Sequence, residues 1–454
     1  MGLLLAAAIT SAIALLWLYR INLAMQAVPA EAIKASPRRW TRQEIRETYE
    51  RVSKTPSDFS KQLPPALKRR YVVFGGAGMV GGDVVMQLLQ RGQSPESIRI
   101  VDFQGLNRRD MLEKSKDCDV VKADMTSWES VEAAFSKPWP VSVAKLPLTV
   151  FHTAARIHPG DRSERLYERM RKINFGGTVN VLKASKAAGA DIFVATASAS
   201  ISFVPAEFCI WPWQSVPRNY FHVTSEADFD VPIRPHSRFF SNYSKSKAEA
   251  ERLICDANED GFRTGTIRPG NAIYGQKTDP VLGSLLTLGE SATWMPHVIQ
   301  NFVDSRNVAL AHLLFEAALT KTTKASGRPF VVTDPGPPLS FQDLYDLVID
   351  LSVTPVSVMR LTPVILLLVT YVVEAYVAFV TFFPFLQKLG LKEPGYPLSF
   401  LQPSVIKGSV HVIVDDTAIR RSFEEGGLGY KGVCTSLEGM CEELADWNRE
   451  HESK

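Results

Sequence analysis

A tyrosine and a lysine four residues apart, in the segment NYSKSKAEAE, are the side chains best suited to proton chemistry. Tyr243 and Lys247 fall on one face of a predicted helix over residues 242–251, because residues four apart are neighbours on a helix surface. A phenol with an ordinary pKa of about 10 is a poor acid–base group at neutral pH, and a nearby ammonium favours the phenolate. We therefore expect Tyr243 to exchange a proton with a substrate alcohol, an exposed helix pair being the alternative.

Three glycines predict a binding turn that would place a cofactor beside this pair. Tyr71–Phe74 is an unbroken apolar run, typical of a parallel strand buried on both faces. Gly75, Gly78 and Gly81 follow at G-x-x-G-x-x-G spacing, and their missing β-carbons allow a pyrophosphate to approach the start of the next helix. A turn in any α/β protein is the alternative unless later segments agree.

A carboxylate after the next predicted strand indicates which dinucleotide binds. Asp102 follows Ile98–Val101 and lies about twenty residues beyond Gly81, where this fold places an acid against the adenosine ribose hydroxyls. A carboxylate there repels a 2′-phosphate, so NAD is favoured over NADP. Arg108 and Arg109 could reach a phosphate and keep NADP as the alternative.

Two further predicted strands complete the cofactor site. A short strand over Cys118–Val121 leads to Asp124 and Met125, which would flank the adenine. The strand Thr149–Phe151 leads to Ala154, whose small side chain lets a cofactor lie against the backbone. Ligands of such sheets bind outside the carboxyl ends of the strands.

The middle of the chain offers hydroxyl groups and a long aromatic insertion. A predicted strand over Ile192–Thr196 ends in a polar cluster that includes Ser198 and Ser200, and the stretch Phe203–Phe240 is rich in aromatic residues. A long insertion of this kind is more often a functional loop than filler. Its aromatic side chains would wall an apolar ligand, dip into a bilayer surface, or do both.

Taken together, these motifs resemble those of the extended short-chain dehydrogenases. In chain order they are Gly75, Gly78, Gly81, Asp102, His152-Thr-Ala-Ala155, Asn174-Phe-Gly-Gly-Thr178, Ser198, Tyr243-Ser-Lys-Ser-Lys247 and Arg268-Pro-Gly-Asn-Ala-Ile-Tyr-Gly275. The resemblance runs from Tyr71 to about Trp447. It implies an α/β fold, a Rossmann-like doubly wound parallel sheet with a smaller C-terminal substrate lobe, to which an N-terminal transmembrane helix would be added.

The resemblance also implies site residues. Ser198, Tyr243 and Lys247 would form the catalytic trio, and Asn174 would hold a proton-relay water. Ser198 is chosen by register and Ser200 is the alternative. The implied cofactor-binding residues are Gly75, Gly78, Gly81, Asp102, Asp124, Met125, Ala154 and Lys247.

Within this superfamily, two later motifs are similar to those of 3β-hydroxysteroid dehydrogenases and sterol 4α-carboxylate 3-dehydrogenases. They occupy residues 301–312 and 328–336. The resemblance implies NAD-dependent oxidation of the 3β-hydroxyl of a sterol or triterpenoid, with a 4-carboxysterol preferred. The resulting 3-ketone is a β-keto acid, which loses carbon dioxide without a metal.

Other functions stay open at this point. A 3β-hydroxysteroid dehydrogenase/Δ5-Δ4 isomerase needs a further acid–base group that no spacing identifies, and a specialised triterpenoid pathway is equally compatible. A non-catalytic nucleotide- and lipid-binding membrane scaffold is the alternative of another class, against which the intact trio argues. A homodimer, or a complex with other sterol-modifying enzymes, is also left open.

The N-terminal segment predicts a membrane anchor. Gly2–Tyr19 is apolar apart from Thr10 and Ser11, and as a helix it would span about 27 Å of a hydrocarbon core about 30 Å thick. Basic residues downstream predict a cytosolic catalytic domain, and a sterol-modifying enzyme is expected in the endoplasmic reticulum membrane. A cleaved secretory signal, which would need a basic residue before the apolar run, and a buried core helix are the alternatives.

A second apolar stretch, Leu361–Leu386, is also long enough to span a bilayer. Glu374 near its middle would be costly there, and a span would separate residues 410–447 from the active site. We therefore favour a pair of helices lying on the membrane surface, with the pocket opening toward the lipid.

Composition excludes other classes and completes the predicted layout. A formal net charge of +3 without a long basic block argues against a nucleic-acid partner. Five scattered cysteines without ligand spacing predict reduced thiols and no metal site. The predicted domains are an anchor over residues 1–20, a linker over 21–70, an NAD-binding Rossmann domain with the catalytic residues over 71–275, and a substrate lobe over 276–454 that includes the membrane-associated stretch 361–386.

Overall fold

The structure, a computed structural model, describes residues 1–158, 160–383, 385–395 and 397–452. Its strands are β1 (Arg70–Phe74), β2 (Ile98–Asp102), β3 (Asp119–Lys122), β4 (Leu148–His152), β5 (Ala190–Thr196), β6 (Phe221–Thr224), β7 (Arg263–Pro269), β8 (Ile273–Tyr274), β9 (Glu290–Thr293), β10 (Ile299–Gln300), β11 (Val303–Asp304), β12 (Arg328–Val332), β13 (Leu339–Ser340), β14 (Ser357–Arg360) and β15 (His411–Val414). Its helices are α1 (Gly2–Met25), α2 (Ala30–Ala35), α3 (Arg42–Lys54), α4 (Met79–Gln90), α5 (Arg109–Leu112), α6 (Trp128–Ser136), α7 (Tyr167–Arg171), α8 (Gly177–Ala187), α9 (Asn242–Asp256), α10 (Leu282–Leu288), α11 (Ser305–Lys321), α12 (Phe341–Leu351), α13 (Pro363–Phe382), α14 (Phe385–Lys388), α15 (Pro403–Gly408), α16 (Thr417–Arg420) and α17 (Ser436–His451). A π-helical turn, Lys172–Gly176, joins α7 to α8.

A seven-stranded parallel sheet in the order β12-β7-β5-β4-β1-β2-β3 forms the centre of the molecule. The apolar run that predicted the first strand is buried in full, which fits a strand covered on both faces. The strand order reverses between β1 and β4, since β2 and β3 are added on one side of β1 and the later strands on the other. This is the switch point at which such sheets bind nucleotides. This topology confirms the predicted Rossmann-like fold.

A second, four-stranded sheet in the order β13-β10-β15-β6 lies beside the first. Strand β6 comes from the aromatic insertion and β15 from the C-terminal region, so this lobe gathers distant parts of the chain. Conversely, β12 belongs to the main sheet although it lies beyond residue 275. The two lobes therefore interleave along the sequence. The predicted boundary between them at residue 275 stays a prediction.

The predicted linker over residues 21–70 is packed against the body rather than extended. Helix α3 begins with a capping box, in which Thr41 accepts a hydrogen bond from the amide of Glu44 and the Glu44 carboxylate accepts one from the amide of Thr41. Its apolar residues Ile45 and Val52 are buried in a cluster with α12 and α17. The segment thus contributes to the core of the substrate lobe.

The described part of the chain has two helical stretches that are long and apolar enough, by length and composition, to cross a membrane. They are Gly2–Ala35 and Pro363–Phe382. The most apolar window of the first is fully exposed, whereas 28% of that of the second is buried. Helix α1 joins the body through the C-terminal part of the helix, where Ile21, Ala24 and Met25 pack against α13 and the aromatic insertion.

Helix α13 lies against the protein along one face and exposes the other. Leu367 and Val380 are buried, while Leu368, Val372 and Phe379 are exposed. The charge that argued against a span is paired, because the Glu374 carboxylate accepts two hydrogen bonds from the Arg162 guanidinium at 2.7 and 2.8 Å. An ion pair to the body is consistent with a helix that lies beside the protein.

A buried ion pair fixes α9, the helix of the predicted catalytic tyrosine, to the main sheet. The guanidinium of Arg268 on β7 donates to both carboxylate oxygens of Glu251 on α9, at 2.8 and 2.5 Å. The two side chains are 2% and 3% exposed, and Asp228 supplies a second carboxylate to the same arginine. Removal of Arg268 would leave the Glu251 carboxylate buried without its ion-pair partner, and removal of Glu251 would leave the buried guanidinium with only the partly exposed Asp228 as its described carboxylate partner.

We expect Glu251→Ala to lower the free energy of unfolding by about 3 kcal/mol or more, the range for breaking a buried pair. The measurement is urea denaturation followed by circular dichroism. Asp256→Ala, which removes an exposed carboxylate from the same helix, is the matched control and should change the stability by less than about 0.5 kcal/mol. Equal effects of the two substitutions would contradict the structural role of the pair.

Candidate active site

A cavity of about 1230 Å³ opens at the carboxyl ends of the central strands. It is larger than the range of roughly 300–1,000 Å³ usual for one small ligand, so it has room for a cofactor and a substrate together. Among the residues singled out from the sequence, those that line the cavity are Gly75, Gly78, Gly81, Asp102, Asp124, Met125, Ala154, Ser198, Ser200, Tyr243 and Lys247. Asn174 does not line it.

The glycine turn has the shape that close contact with a dinucleotide requires. Gly75 adopts a positive φ of 85°, and a β-carbon there would lie 2.5 Å from the amide nitrogen of Ala154. A β-carbon on Gly81 would overlap the carbonyl oxygen of Gly75. Helix α4 begins at this turn with Gly78 as its N-cap and no side-chain cap, so its first amide groups stay available to a pyrophosphate. These residues fit the predicted dinucleotide.

The end of the cavity that is predicted to hold the adenosine is lined by the carboxylates of Asp102 and Asp124. The Asp102 carboxylate accepts hydrogen bonds from the amides of Ala77 and Gln104, each at 3.2 Å, and has further capacity to accept from ribose hydroxyls. Asp124 accepts from the amide and the hydroxyl of Thr126, both at 2.8 Å. Phe103, which is 69% exposed, lines the same end and presents a ring on which an adenine can stack.

The predicted catalytic side chains meet at the other end of the cavity. Lys247 is buried and its Nζ donates a hydrogen bond to the carbonyl oxygen of Thr196 at 2.6 Å. The Ser198 hydroxyl lies close enough to the Tyr243 phenol to lower its pKa through a hydrogen bond, and it donates to the Ser200 hydroxyl at 2.8 Å. The spacing within one helix and the register after β5 together bring these groups to one place.

The expected direction of the Tyr243 pKa is wrong for this arrangement. Burial raises the pKa of Tyr243 to about 12, and the hydrogen bond with Ser198 offsets only part of that rise. Burial also lowers the pKa of Lys247 to about 8, and its ammonium is directed at the Thr196 carbonyl. The prediction used only the spacing of the two residues in the sequence. It left out the desolvation that the surrounding elements impose on both side chains.

The side chain of Asn174 makes contacts behind the cavity wall, and its implied role in holding a relay water stays a prediction. Its side-chain oxygen accepts a hydrogen bond from the amide of Arg156 at 2.9 Å, and its side-chain nitrogen donates to the Arg156 carbonyl at 3.1 Å. The same nitrogen lies 3.0 Å from the Ser246 hydroxyl, which donates to the carbonyl of Tyr243. Asn174 therefore links the loop after β4 to the helix of Tyr243 from behind the cavity wall.

Sequence reasoning missed several residues of the cavity wall. Arg156, Lys172 and Phe240 line it, as does Thr153, whose hydroxyl donates to the carbonyl oxygens of Phe74 and Gly75. Thr153 lies within the motif His152-Thr-Ala-Ala155 and Arg156 directly follows it, so this motif was the available signal for both. Lys172 lies in a segment that carries no motif of its own. Phe240 ends the aromatic insertion, whose rings were predicted to wall an apolar ligand, although no single ring was selected.

The family of the chain follows from a match over most of its length. The model of the 3-beta hydroxysteroid dehydrogenase/isomerase family matches residues 72–361. The chain belongs to this family. Family membership confirms the predicted enzyme class, an oxidoreductase of the 3β-hydroxysteroid dehydrogenase type with a nicotinamide dinucleotide as its cofactor.

Similar proteins with curated names span several organisms. The sterol-4-alpha-carboxylate 3-dehydrogenase (decarboxylating) of Schizosaccharomyces pombe is 25% identical over 57% of this chain and 68% of its own length. The human protein of the same name is 26% identical over 59% of this chain, and the match spans 63% of its length, less than two thirds. A 3 beta-hydroxysteroid dehydrogenase/Delta 5-->4-isomerase of Mycobacterium tuberculosis is 27% identical over 59% of this chain and 65% of its own.

Solved structures agree on the fold. A UDP-glucose 4-epimerase of Thermotoga maritima superposes with a TM-score of 0.54 at 18% identity, over 84% of this chain and 99% of its own. The corresponding enzyme of Stenotrophomonas maltophila, solved with bound NAD, gives a TM-score of 0.55 at 16% identity, over 85% and 99%. At these identities the likeness establishes the architecture alone.

We expect Gly81→Ala to weaken NADH binding at least about tenfold, because the added β-carbon would displace the Gly75 carbonyl and with it the pyrophosphate turn. The measurement is a fluorescence titration with NADH, with circular dichroism to check folding. Gly176→Ala is the matched control, since the nearest atom to its β-carbon would be 3.8 Å away. A folded Gly81→Ala protein with unchanged NADH affinity would contradict the proposed cofactor site.

Proposed function

We propose that the protein oxidises the 3β-hydroxyl of a sterol or triterpenoid with NAD, that a 4-carboxysterol is the preferred substrate, and that decarboxylation at C4 follows. The observation that carries the proposal is the convergence of Ser198, Tyr243 and Lys247 with the glycine turn on one cavity. The names of the relatives from S. pombe and human support the substrate class. A specialised triterpenoid pathway is covered by the same chemistry.

The proposed proton transfer uses groups already in contact. Ser198 orients the substrate 3-hydroxyl, and Tyr243 takes its proton as the C3 hydrogen leaves as hydride. Bound NAD supplies the hydride acceptor. A phenol with a pKa of about 12 needs help to lose its own proton first, and the positive charge of Lys247 in the same cavity favours the phenolate once a ligand excludes water.

Decarboxylation needs no further catalytic group. In the 3-keto-4-carboxylate, the electrons of the bond between C4 and the carboxylate carbon move into the adjacent ketone as an enolate while carbon dioxide leaves. Tyr243, which holds the proton taken from the alcohol, stands beside the oxygen that becomes negative and can return that proton to it.

Double-bond isomerisation, the alternative activity in this family, would need another acid–base group beside the substrate. Among the described residues that line the cavity, the carboxylates are Asp102 and Asp124. Both belong to the proposed adenosine end, away from Tyr243. We therefore rank decarboxylation above isomerisation.

NAD is preferred over NADP in this proposal because Arg108, one of the two arginines that could reach a 2′-phosphate, is already engaged. The Arg108 guanidinium donates to the carbonyls of Gly78 and Met79 and pairs with Asp83 and Asp110. Those contacts use the donors that a 2′-phosphate would need. The Asp102 carboxylate beside the ribose site would in addition repel that phosphate.

The proposal also places the protein at a membrane, on the evidence of α1 and two neighbouring tryptophans. The first half of α1 is exposed and apolar. In the aromatic insertion, the exposed rings of Trp211 and Trp213 stack with their centroids 5.4 Å apart. Trp17 of α1 donates from its ring nitrogen to the carbonyl of Ile210 at 3.0 Å, which joins this pair to the helix. Tryptophan is enriched at the membrane interface. We place the protein in the endoplasmic reticulum membrane with its catalytic domain facing the cytosol.

The decisive assay supplies full-length protein in lipid vesicles with NAD and a 3β-hydroxy-4α-carboxysterol labelled in the carboxyl group. We expect NADH and labelled carbon dioxide to appear in equal amounts. NADH without carbon dioxide would indicate plain dehydrogenation. NAD binding without NADH from any 3β-hydroxysterol would favour the non-catalytic scaffold and overturn the proposal.

In that assay, Tyr243→Phe should lower kcat by about 10²–10⁴-fold, the usual contribution of a positioned acid–base group, with NADH affinity nearly unchanged. Tyr345→Phe, which removes a hydroxyl from outside the cavity, is the matched control. Lys247→Met should reduce both turnover and cofactor affinity, whereas Lys245→Met, two residues away on α9, should not. A retained rate in Tyr243→Phe would remove this phenol from the mechanism.

Deletion of residues 2–16 should weaken binding to vesicles without abolishing it, because the exposed face of α13 also contacts lipid in this proposal. Flotation of the protein with vesicles measures the bound fraction. Substitution of Leu368, Val372 and Phe379 by serine in the shortened protein should release the remainder. Serine at Val120, Val141 and Ile349, which are exposed apolar residues outside α1 and α13, is the control. Complete release by the deletion alone would exclude a second membrane contact.

A further inference from the structure

The cavity carries positively charged groups that no other described side chain pairs with. Three cations other than Lys247 line the cavity: Arg156, Arg169 and Lys172. Arg169 is paired, because it donates to both carboxylate oxygens of Glu393 at 2.9 and 3.1 Å. Among the described residues, the side chains of Arg156 and Lys172 make no hydrogen bond or ion pair, and both are exposed.

Arg156 is held in place although its guanidinium is free. Both backbone polar groups of Arg156 are bound by the side chain of Asn174, which is itself 2% exposed. Asn174 sits in a π-helical turn, a feature that is rare and frequent at functional sites. Because the buried Asn174 amide binds both the N–H and the carbonyl group of Arg156, it fixes the position of the Arg156 main chain and therefore of its Cα.

The same amide links Arg156 to the helix of the proposed catalytic tyrosine. Its nitrogen lies 3.0 Å from the Ser246 hydroxyl, and that hydroxyl donates to the Tyr243 carbonyl at 2.8 Å. Arg156 is therefore attached, through two side chains, to the first turn of α9. A long arginine side chain that starts there can reach a group bound beside the Tyr243 phenol.

We propose that Arg156 binds the carboxylate at C4 of the substrate and that Asn174 is the positioning residue that aims it. The proposal rests on the proposed function and names the group that the site selects. C4 is bonded to C3, so a carboxylate there lies next to the oxygen that Tyr243 deprotonates. A planar guanidinium matches a carboxylate through two parallel hydrogen bonds. Lys172 adds positive charge to the same region.

Asp161 is an acidic residue close enough to Arg156 for the charge of the arginine to affect its pKa. Burial raises the pKa of Asp161, and the positive charges of His158, Arg169 and Arg156 oppose part of that rise. The two side chains form no ion pair within 4.0 Å, so the guanidinium keeps its donors for a ligand. A dinucleotide pyrophosphate is the other anion the cavity would hold, and its place is at the start of α4 rather than beside α9.

The test compares two substrates and one cofactor in Arg156→Leu. We expect kcat/KM for the 3β-hydroxy-4α-carboxysterol to fall by about 10–100-fold, as for the loss of hydrogen bonds to a charged group. The same ratio for a 3β-hydroxysterol without the carboxylate should change by less than about threefold, a difference too small for a lost charged contact. NADH affinity should be unchanged. Arg156→Lys should recover part of the loss, and Arg42→Leu, an exposed charge far from the cavity, should have no effect.

Each contrary result overturns the proposal in a recognisable way. Weaker NADH binding in Arg156→Leu would assign the arginine to the pyrophosphate. Equal losses with both sterols would give it a general structural role. Asn174→Ala should reproduce the selective loss in KM for the carboxysterol, while Asn174→Ala with an unchanged KM would remove its positioning role.

The outcome can be separated from that of the proposed function. If wild-type protein oxidises no 3β-hydroxysterol at all, the proposed function fails before any variant is compared. In addition, binding of the carboxysterol to Tyr243→Phe with NADH present can be titrated without turnover. Loss of that binding on adding Arg156→Leu supports the proposal, and unchanged binding overturns it.

Discussion

The attachment of one helix to the central sheet is the interaction on which the site depends. Helix α9 is joined to β7 by the buried pair of Arg268 and Glu251 and to β5 by the hydrogen bond from Lys247 to the Thr196 carbonyl. Both contacts are shielded from water, where charge interactions are strong. They fix the helix against the strands whose ends form the cavity floor, so the phenol and the cofactor turn belong to one rigid frame.

The cavity divides its charge in a way that suits two unlike ligands. The carboxylates of Asp102 and Asp124 line the cavity where the ribose is proposed to bind. Arg156, whose guanidinium has no partner among the described residues, also lines the cavity, and Asn174 and Ser246 link its main chain to the helix of Tyr243. The uncapped start of α4, which favours an anion, lines the same cavity. A neutral ribose, a pyrophosphate and an anionic substrate would each find the local charge that stabilises them.

Local rules explain what the sequence could predict. Gly75 and Asp102 act through turn geometry and strand ends, and Tyr243 and Lys247 through helix spacing, so short segments carried enough information. The pKa direction of Tyr243 was wrong because desolvation comes from elements far along the chain. The contacts of Asn174 escaped prediction for the same reason, since its partner Ser246 lies 72 residues away. The packing of α13 on α1 brings together residues that are 342 positions apart in the sequence, such as Val364 and Asn22. No local sequence pattern predicts this contact.

The ion pair between Glu374 and Arg162 has a consequence for how the protein behaves outside lipid. Each side chain is about 30% exposed, and the neighbouring main-chain oxygen of Asp161 accepts a hydrogen bond from the amide of Asn242, next to Tyr243. Coulomb attraction grows as the surroundings become less polar, so lipid against α13 would tighten the pair and water would loosen it. The bilayer would then act as a structural component of the reaction centre, and detergent chemistry would decide how much of that centre survives extraction.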